Sequence, residues 1–113
     1  MRRRALLAMA WYYIATGAWP LLSMESFEAI TGPKRDHWLV NTVGALAVAN
    51  GLTLLTGAQT KRIPRETIVL AVASACAFTT IDVVYVMRRC ISPIYLADAG
   101  LELALVGVIL RGN

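Results

Sequence analysis

The stretch Ile81–Glu102, IDVVYVMRRCISPIYLADAGLE, joins two apolar runs through a short basic turn and carries three carboxylates, Asp82, Asp98 and Glu102. Ser92 followed by Pro93 reads as a helix start, with Ser as the N-cap and Pro at the first helical position. From there Tyr95, Asp98, Glu102 and Val106 fall on one helical face. On the other side of the turn, Asp82, Val86 and Arg89 form a row, and Tyr85 lies one turn from Asp82. A turn this short makes the two helices antiparallel neighbours. Asp82 and Asp98 each lie about six residues from it, so at 1.5 Å rise both sit roughly 9 Å deep and their carboxylates can meet. Glu102 lies one turn deeper.

Working outward, four apolar runs appear, at about Ala5–Met24, Trp38–Thr56, Thr67–Met87 and Pro93–Leu110. Helices of such lengths match a hydrocarbon core of about 30 Å. The whole chain agrees with that reading: 58% of its 113 residues are hydrophobic and 16% are charged, against averages near 45–50% and 25%. A soluble domain this small has too much surface to hide so much apolar area. The expected fold is therefore all-α, a single four-transmembrane-helix bundle over residues 1–113. The segment MRRRALLAMAWYYIATGAWP resembles a signal peptide in charge order, but its apolar stretch is too long for one.

The net charge of +4 is spread over short basic groups between the apolar runs. With no basic face interleaved with aromatics, nucleic acid is not an expected partner. The basic residues instead suggest an orientation. Arg2, Arg3, Arg4, Lys61, Arg62, Arg65 and Arg111 fall on one side, and Lys34, Arg35, Arg88 and Arg89 on the other. The richer side belongs in the cytoplasm, which places both termini inside.

Within the spans, Tyr13, Thr16, Gly17, Pro20 and Met24 make a stripe of small and polar groups on the first helix. Asn41, Gly44, Val48 and Gly51 make another on the second. Such faces let backbones approach, and they would equally serve a homodimer or a membrane-protein partner. Asn50 reads as a hydrogen bond between helices, while the depth of Asn41 places it near the acids. Between these helices, Glu25, Phe27 and Glu28 suggest a short interfacial helical turn stopped at Gly32. His37, next to Asp36, reads as a surface or capping residue. Cys76 and Cys90 would lie roughly 20 Å apart, too far for a disulfide; Cys76 reads as core filler and Cys90 as a surface thiol.

A charged group inside a membrane costs about 2.5–3.5 kcal/mol on insertion scales, and carboxylates this close cannot all carry charge without compensation. The expected compensation is Arg89, paired with Asp82 and Asp98, with Tyr85 or Tyr95 donating hydrogen bonds. Asp82, Asp98, Glu102, Tyr85, Tyr95, Arg89 and Asn41 thus form the candidate ligand-binding set. Their network could simply lock the last two helices together. It could also form an outward-facing acidic pocket for a cationic or lipid-like small molecule, or a proton-handling site. Catalysis is the weakest reading, because HExxH, GxSxG and P-loop motifs are all missing. No cofactor or metal is expected.

Two segments, GAWPLLSMESFEAITGPKRDHWLVNTVG and DVVYVMRRCISPIYLADAGLE, resemble small, uncharacterised four-span integral membrane proteins of bacteria. The resemblance implies the four-span fold and a bacterial inner (plasma) membrane location, and no activity. It implies a shared design mostly among residues of the outer side, including Pro20, Glu28, Asp36, Asp82, Pro93 and Asp98. Three functional readings follow: a non-enzymatic membrane protein with an acidic intramembrane pocket, a small accessory subunit of a larger membrane complex, or a membrane-embedded isomerase or lipid-modifying enzyme.

Overall fold

Long apolar runs interrupted by Gly-Pro, Arg-Ile-Pro and Ser-Pro breaks give helices joined by short turns. The computed structural model describes residues 2–34, 36–89 and 91–111. It contains α1 (Arg2–Leu22), α2 (Met24–Thr31), α3 (His37–Ala58), α4 (Arg65–Met87) and α5 (Tyr95–Arg111). Among the described residues there is no strand. Helices α1, α3 and α4 are each long and apolar enough to cross a membrane. Large apolar side chains face outward, including Leu22, Trp38, Leu46, Met87 and Leu110. Such a surface suits lipid, and with three helices of spanning length the chain is a helical membrane protein.

The four long helices form a ring: α1 lies along α3, α3 meets α4, α4 lies along α5, and α5 returns to α1, while α2 packs on α1. The α1–α3 seam is the tightest, and glycine makes it so. A Cβ on Gly17 or on Gly44 would lie 2.5 Å from the carbonyl oxygen of the other residue. A Cβ on Gly51 would lie 2.6 Å from the Ala10 carbonyl. The two backbones therefore touch, as the small-residue stripes predict. The α3–α4 contact carries a polar link, Asn50 Nδ2 donating to Ser74 Oγ at 3.1 Å.

The end of the bundle that holds Arg2 and Arg111 carries the buried apolar core. Leu6, Met9, Ala10, Leu54, Ala58, Ala71, Ala75 and Ile109 form its core. Two arginines fasten it. Arg2 Nε donates to the Ile109 carbonyl at 2.7 Å. Arg3 donates to the Ala58 carbonyl, and to that of Lys61 at 3.2 Å. The bonds to Ile109 and Ala58 satisfy carbonyls in the last turns of α5 and α3, which have no partner within their own helix, and Lys61 lies in the loop after α3.

The opposite end is capped by α2. Ser23 opens that helix, its side chain accepting from the Ser26 N–H at 3.4 Å. Gly32 closes it at φ +99°, a conformation L side chains rarely adopt, with its N–H on the Glu28 carbonyl at 2.8 Å. Trp19 meets Phe27 edge-on at 5.3 Å and fixes α2 across the end of α1.

Some boundaries differ from expectation. The last helix begins at Tyr95, because the Ser92-Pro93 start winds first as a tighter i→i+3 turn, with Tyr95, Leu96 and Ala97 bonded to Ser92, Pro93 and Ile94. Asp36 lies just outside α3 as its N-cap, without a side-chain cap bond. Cys76 is exposed rather than in the core. It follows buried Ala75, and one residue turns about 100° around a helix, enough to face it outward. The surface-thiol reading of Cys90 falls outside the described residues.

Candidate functional site

The α2 end of the bundle is hollow. A cavity of about 580 Å³ lies there, walled by all five helices. Its size falls within the range of about 300–1,000 Å³ typical of ligand pockets. The walls are mostly apolar: Leu39, Val40 and Val43 from α3, Phe27 and Ile30 from α2, Leu101 from α5. Ile30, Leu39, Val43 and Leu101 are also exposed on the outer surface, so the cavity's rim is continuous with the apolar exterior.

Three carboxyl groups interrupt this apolar lining. Asp98 and Glu102, one turn apart, present one face of α5. Asp82 enters from α4 and lines the same cavity. Two consecutive tyrosines of α1 meet the α5 pair: Tyr12 donates to Asp98 Oδ1, and Tyr13 donates to Glu102 Oε1. The edge of Tyr13 packs against Phe78 of α4, ring centres 5.4 Å apart, which fixes its direction. Asp82 and Glu102 are 4% and 0% exposed, yet Asp82 Oδ2 and Glu102 Oε2 have no hydrogen-bond partner. Leaving a buried polar atom unpaired costs about 1–3 kcal/mol, more for a charged group. Two residues lining the cavity thus hold buried acceptor capacity that is unmet.

Lys34 is the one basic side chain lining this cavity among the described residues. It is at the mouth. Its ammonium donates to the carbonyls of Thr31 and Gly32, at 3.0 and 2.9 Å. It also lies 5.8 Å from the centre of the Phe27 ring and 5.3 Å from that of Tyr95, a cation–π arrangement. Just outside, Glu28 accepts the Lys34 backbone N–H at 2.6 Å and faces His37 Nε2 at 3.0 Å. The Lys34 N–H holds the Glu28 carboxyl below the usual carboxylate range, against the opposing effect of desolvation and with help from His37. This clasp ties α2, and with it the roof of the cavity, to the start of α3.

Of the seven candidates, the structure brings Asp82, Asp98, Glu102 and Tyr95 into one cavity. Tyr85, Arg89 and Asn41 are not among the lining residues. Tyr85 lies partly exposed under Arg88, 5.9 Å from its ring centre. Arg89 takes φ 59° at the turn and is exposed. The side-chain oxygen of Asn41 is buried without a hydrogen bond, away from the cavity lining. The donors to the acids come from α1 instead. Tyr12 and Tyr13 were signalled by depth: they lie roughly 12 Å beyond Arg4 along the helix, too deep for an interfacial belt, and a buried tyrosine hydroxyl usually has a partner. Among the described residues, no three His, Cys, Asp or Glu side chains are arranged to hold a metal.

Comparison with known protein families, curated proteins and solved structures finds no match to this chain.

Proposed function

We propose that the chain is a non-enzymatic, four-span protein of the bacterial inner membrane whose cavity binds a small amphipathic cation. In this reading α5 is the fourth span: its 17 residues, with the turn before it, extend close to the thickness of the hydrocarbon core. The end rich in arginine and lysine, with both termini, faces the cytoplasm. The cavity then opens in the outer leaflet, with its rim against lipid.

One observation carries the proposal: two buried carboxyl oxygens without partners, on residues that line a mostly apolar cavity. An ammonium group supplies both the missing donors and the missing positive charge, and charge-assisted hydrogen bonds are roughly twice as strong as neutral ones. An alkyl tail fits the remaining lining and the lipid-facing rim. The ligand class is therefore a lipid-like amine. The test is native mass spectrometry of the purified protein with dodecylamine, against dodecanol as the uncharged comparison. The amine should be retained and the alcohol lost, and the preference should disappear in Asp82→Asn combined with Glu102→Gln. Equal retention of amine and alcohol by the wild type would refute the reading.

A further inference from the structure

We propose that the cavity takes the headgroup of a zwitterionic lipid, a phosphoethanolamine, with its ammonium among the acids and its phosphate on Lys34. The inference rests on the reading of the cavity as a site for amphipathic cations, and it names which cation the site takes.

The charged groups of the cavity come in a definite order. Tyr95, Asp98 and Glu102 share one face of α5, and all three line the cavity. Lys34 stands at the head of that row. Glu28 holds its backbone N–H at 2.6 Å, and its ammonium lies over the rings of Phe27 on α2 and Tyr95 on α5. From Tyr95, about 5 Å along α5 leads to Asp98, and about 6 Å more leads to Glu102. The positive group is thus at the mouth, and the α5 acids lie one to two turns below it.

A simple amine answers only the acids. A ligand that also answers Lys34 carries an anion at the mouth and a cation farther in. Phosphoethanolamine has that order, with two carbons between its phosphate ester oxygen and its ammonium. Lys34 donates to the Thr31 and Gly32 carbonyls, and a phosphate oxygen would be a third acceptor, within the three N–H donors of an ammonium. The ligand's own ammonium has the same three, enough for one bond to each orphaned oxygen of Asp82 and Glu102. A choline group has no N–H and can supply neither bond. The rim assigns the headgroup to a lipid. Ile30, Leu39, Val43 and Leu101 line the cavity and are exposed on the outside, so an acyl chain can leave sideways over α3 and α5 into the surrounding hydrocarbon.

The experiment is native mass spectrometry of the full chain with three single-chain probes: lauroyl lysophosphatidylethanolamine, lauroyl lysophosphatidylcholine and dodecylamine. The wild type should bind the ethanolamine lipid about tenfold more tightly than dodecylamine, the fold-change of one charge-assisted hydrogen bond. It should prefer the ethanolamine lipid over the choline lipid by about the same factor. Lys34→Met should remove the advantage over dodecylamine and leave dodecylamine bound. Free phosphoethanolamine at the same concentration should displace no probe, and displacement would overturn the lipid as the source of the headgroup. Wild-type protein that binds the ethanolamine lipid no more tightly than dodecylamine or than the choline lipid would overturn the assignment and leave the amine site standing. Equal weakening of the ethanolamine lipid and dodecylamine in Lys34→Met would do the same. Failure of the wild type to bind dodecylamine or either lipid would overturn both readings. The wild-type comparisons decide the question whether or not Lys34→Met folds.

Discussion

The contact between α1 and α3 gives the sharpest test of the fold, because the same substitution should change sign with position. Gly44→Ala places a methyl group 2.5 Å from the Gly17 carbonyl oxygen, against ordinary contact beginning at 3.4 Å. The obstacle is backbone, which cannot rotate aside, so the helices must part by roughly 1 Å or distort. Overpacking of this kind costs about 1–3 kcal/mol. Alanine returns about 0.5–1 kcal/mol by its better helix propensity, leaving a net loss of about 1–2 kcal/mol. Gly107 on α5 has nothing within 4 Å of the position its Cβ would take. Gly107→Ala should therefore stabilise the protein by up to about 1 kcal/mol. Unfolding both variants by titrating SDS into mixed micelles, followed by far-ultraviolet circular dichroism, measures the difference directly. Equal midpoints for the two alanines would show that the helices do not touch at Gly44, and the packing reasoning would fail.

Other outcomes follow from the same structure. Tyr13→Phe removes the donor to Glu102 and should cost about 1–3 kcal/mol in that unfolding assay; pairing it with Glu102→Leu should recover much of the loss, because deleting both partners leaves no orphan. Asn50→Ala should cost about 0.6 kcal/mol, the usual size of a hydrogen bond between membrane helices. The Glu28 carboxyl lies below its ordinary value in the folded protein, so its clasp favours the folded form above the unfolded carboxylate range near pH 4.3. That contribution is lost as pH falls through the lower, folded value. At neutral pH, Glu28→Gln should speed hydrogen exchange at the Lys34 amide, and unchanged exchange there would mean that Glu28 does not hold the roof.

The helices could be read from the chain because each rests on local information: a run of the right length, and a break such as Ser92-Pro93 or Gly32. That α4 and α5 bring Asp82 and Asp98 to one cavity was legible for the same reason, since a short turn fixes two antiparallel neighbours. The partners of those acids were not. Tyr12 and Asp98 are 86 residues apart, and no spacing rule reports how α1 is rotated about its axis beside α5. Arg89 shares a helical row with Asp82 only if the helix continues to it. Instead α4 ends at Met87, and the left-handed backbone at Arg89 breaks the row. Asn41 has the right depth for the acids but is not part of the cavity lining. Depth can be counted in a sequence; azimuth depends on which helices pack together.

The two arginine ties have a consequence for how the protein is made. Arg2 grips Ile109 across 107 residues of chain, so the opening turn of the first helix has to wait for the final one. During synthesis α1 and α3 can pair early through their glycines, but this grip stays open until α5 arrives. Arg3 can reach the Ala58 carbonyl as soon as α3 is complete. Assembly would then proceed in two closures, an early one through Arg3 and a late one through Arg2, and the second would coincide with the delivery of Asp98 and Glu102 to the waiting tyrosines.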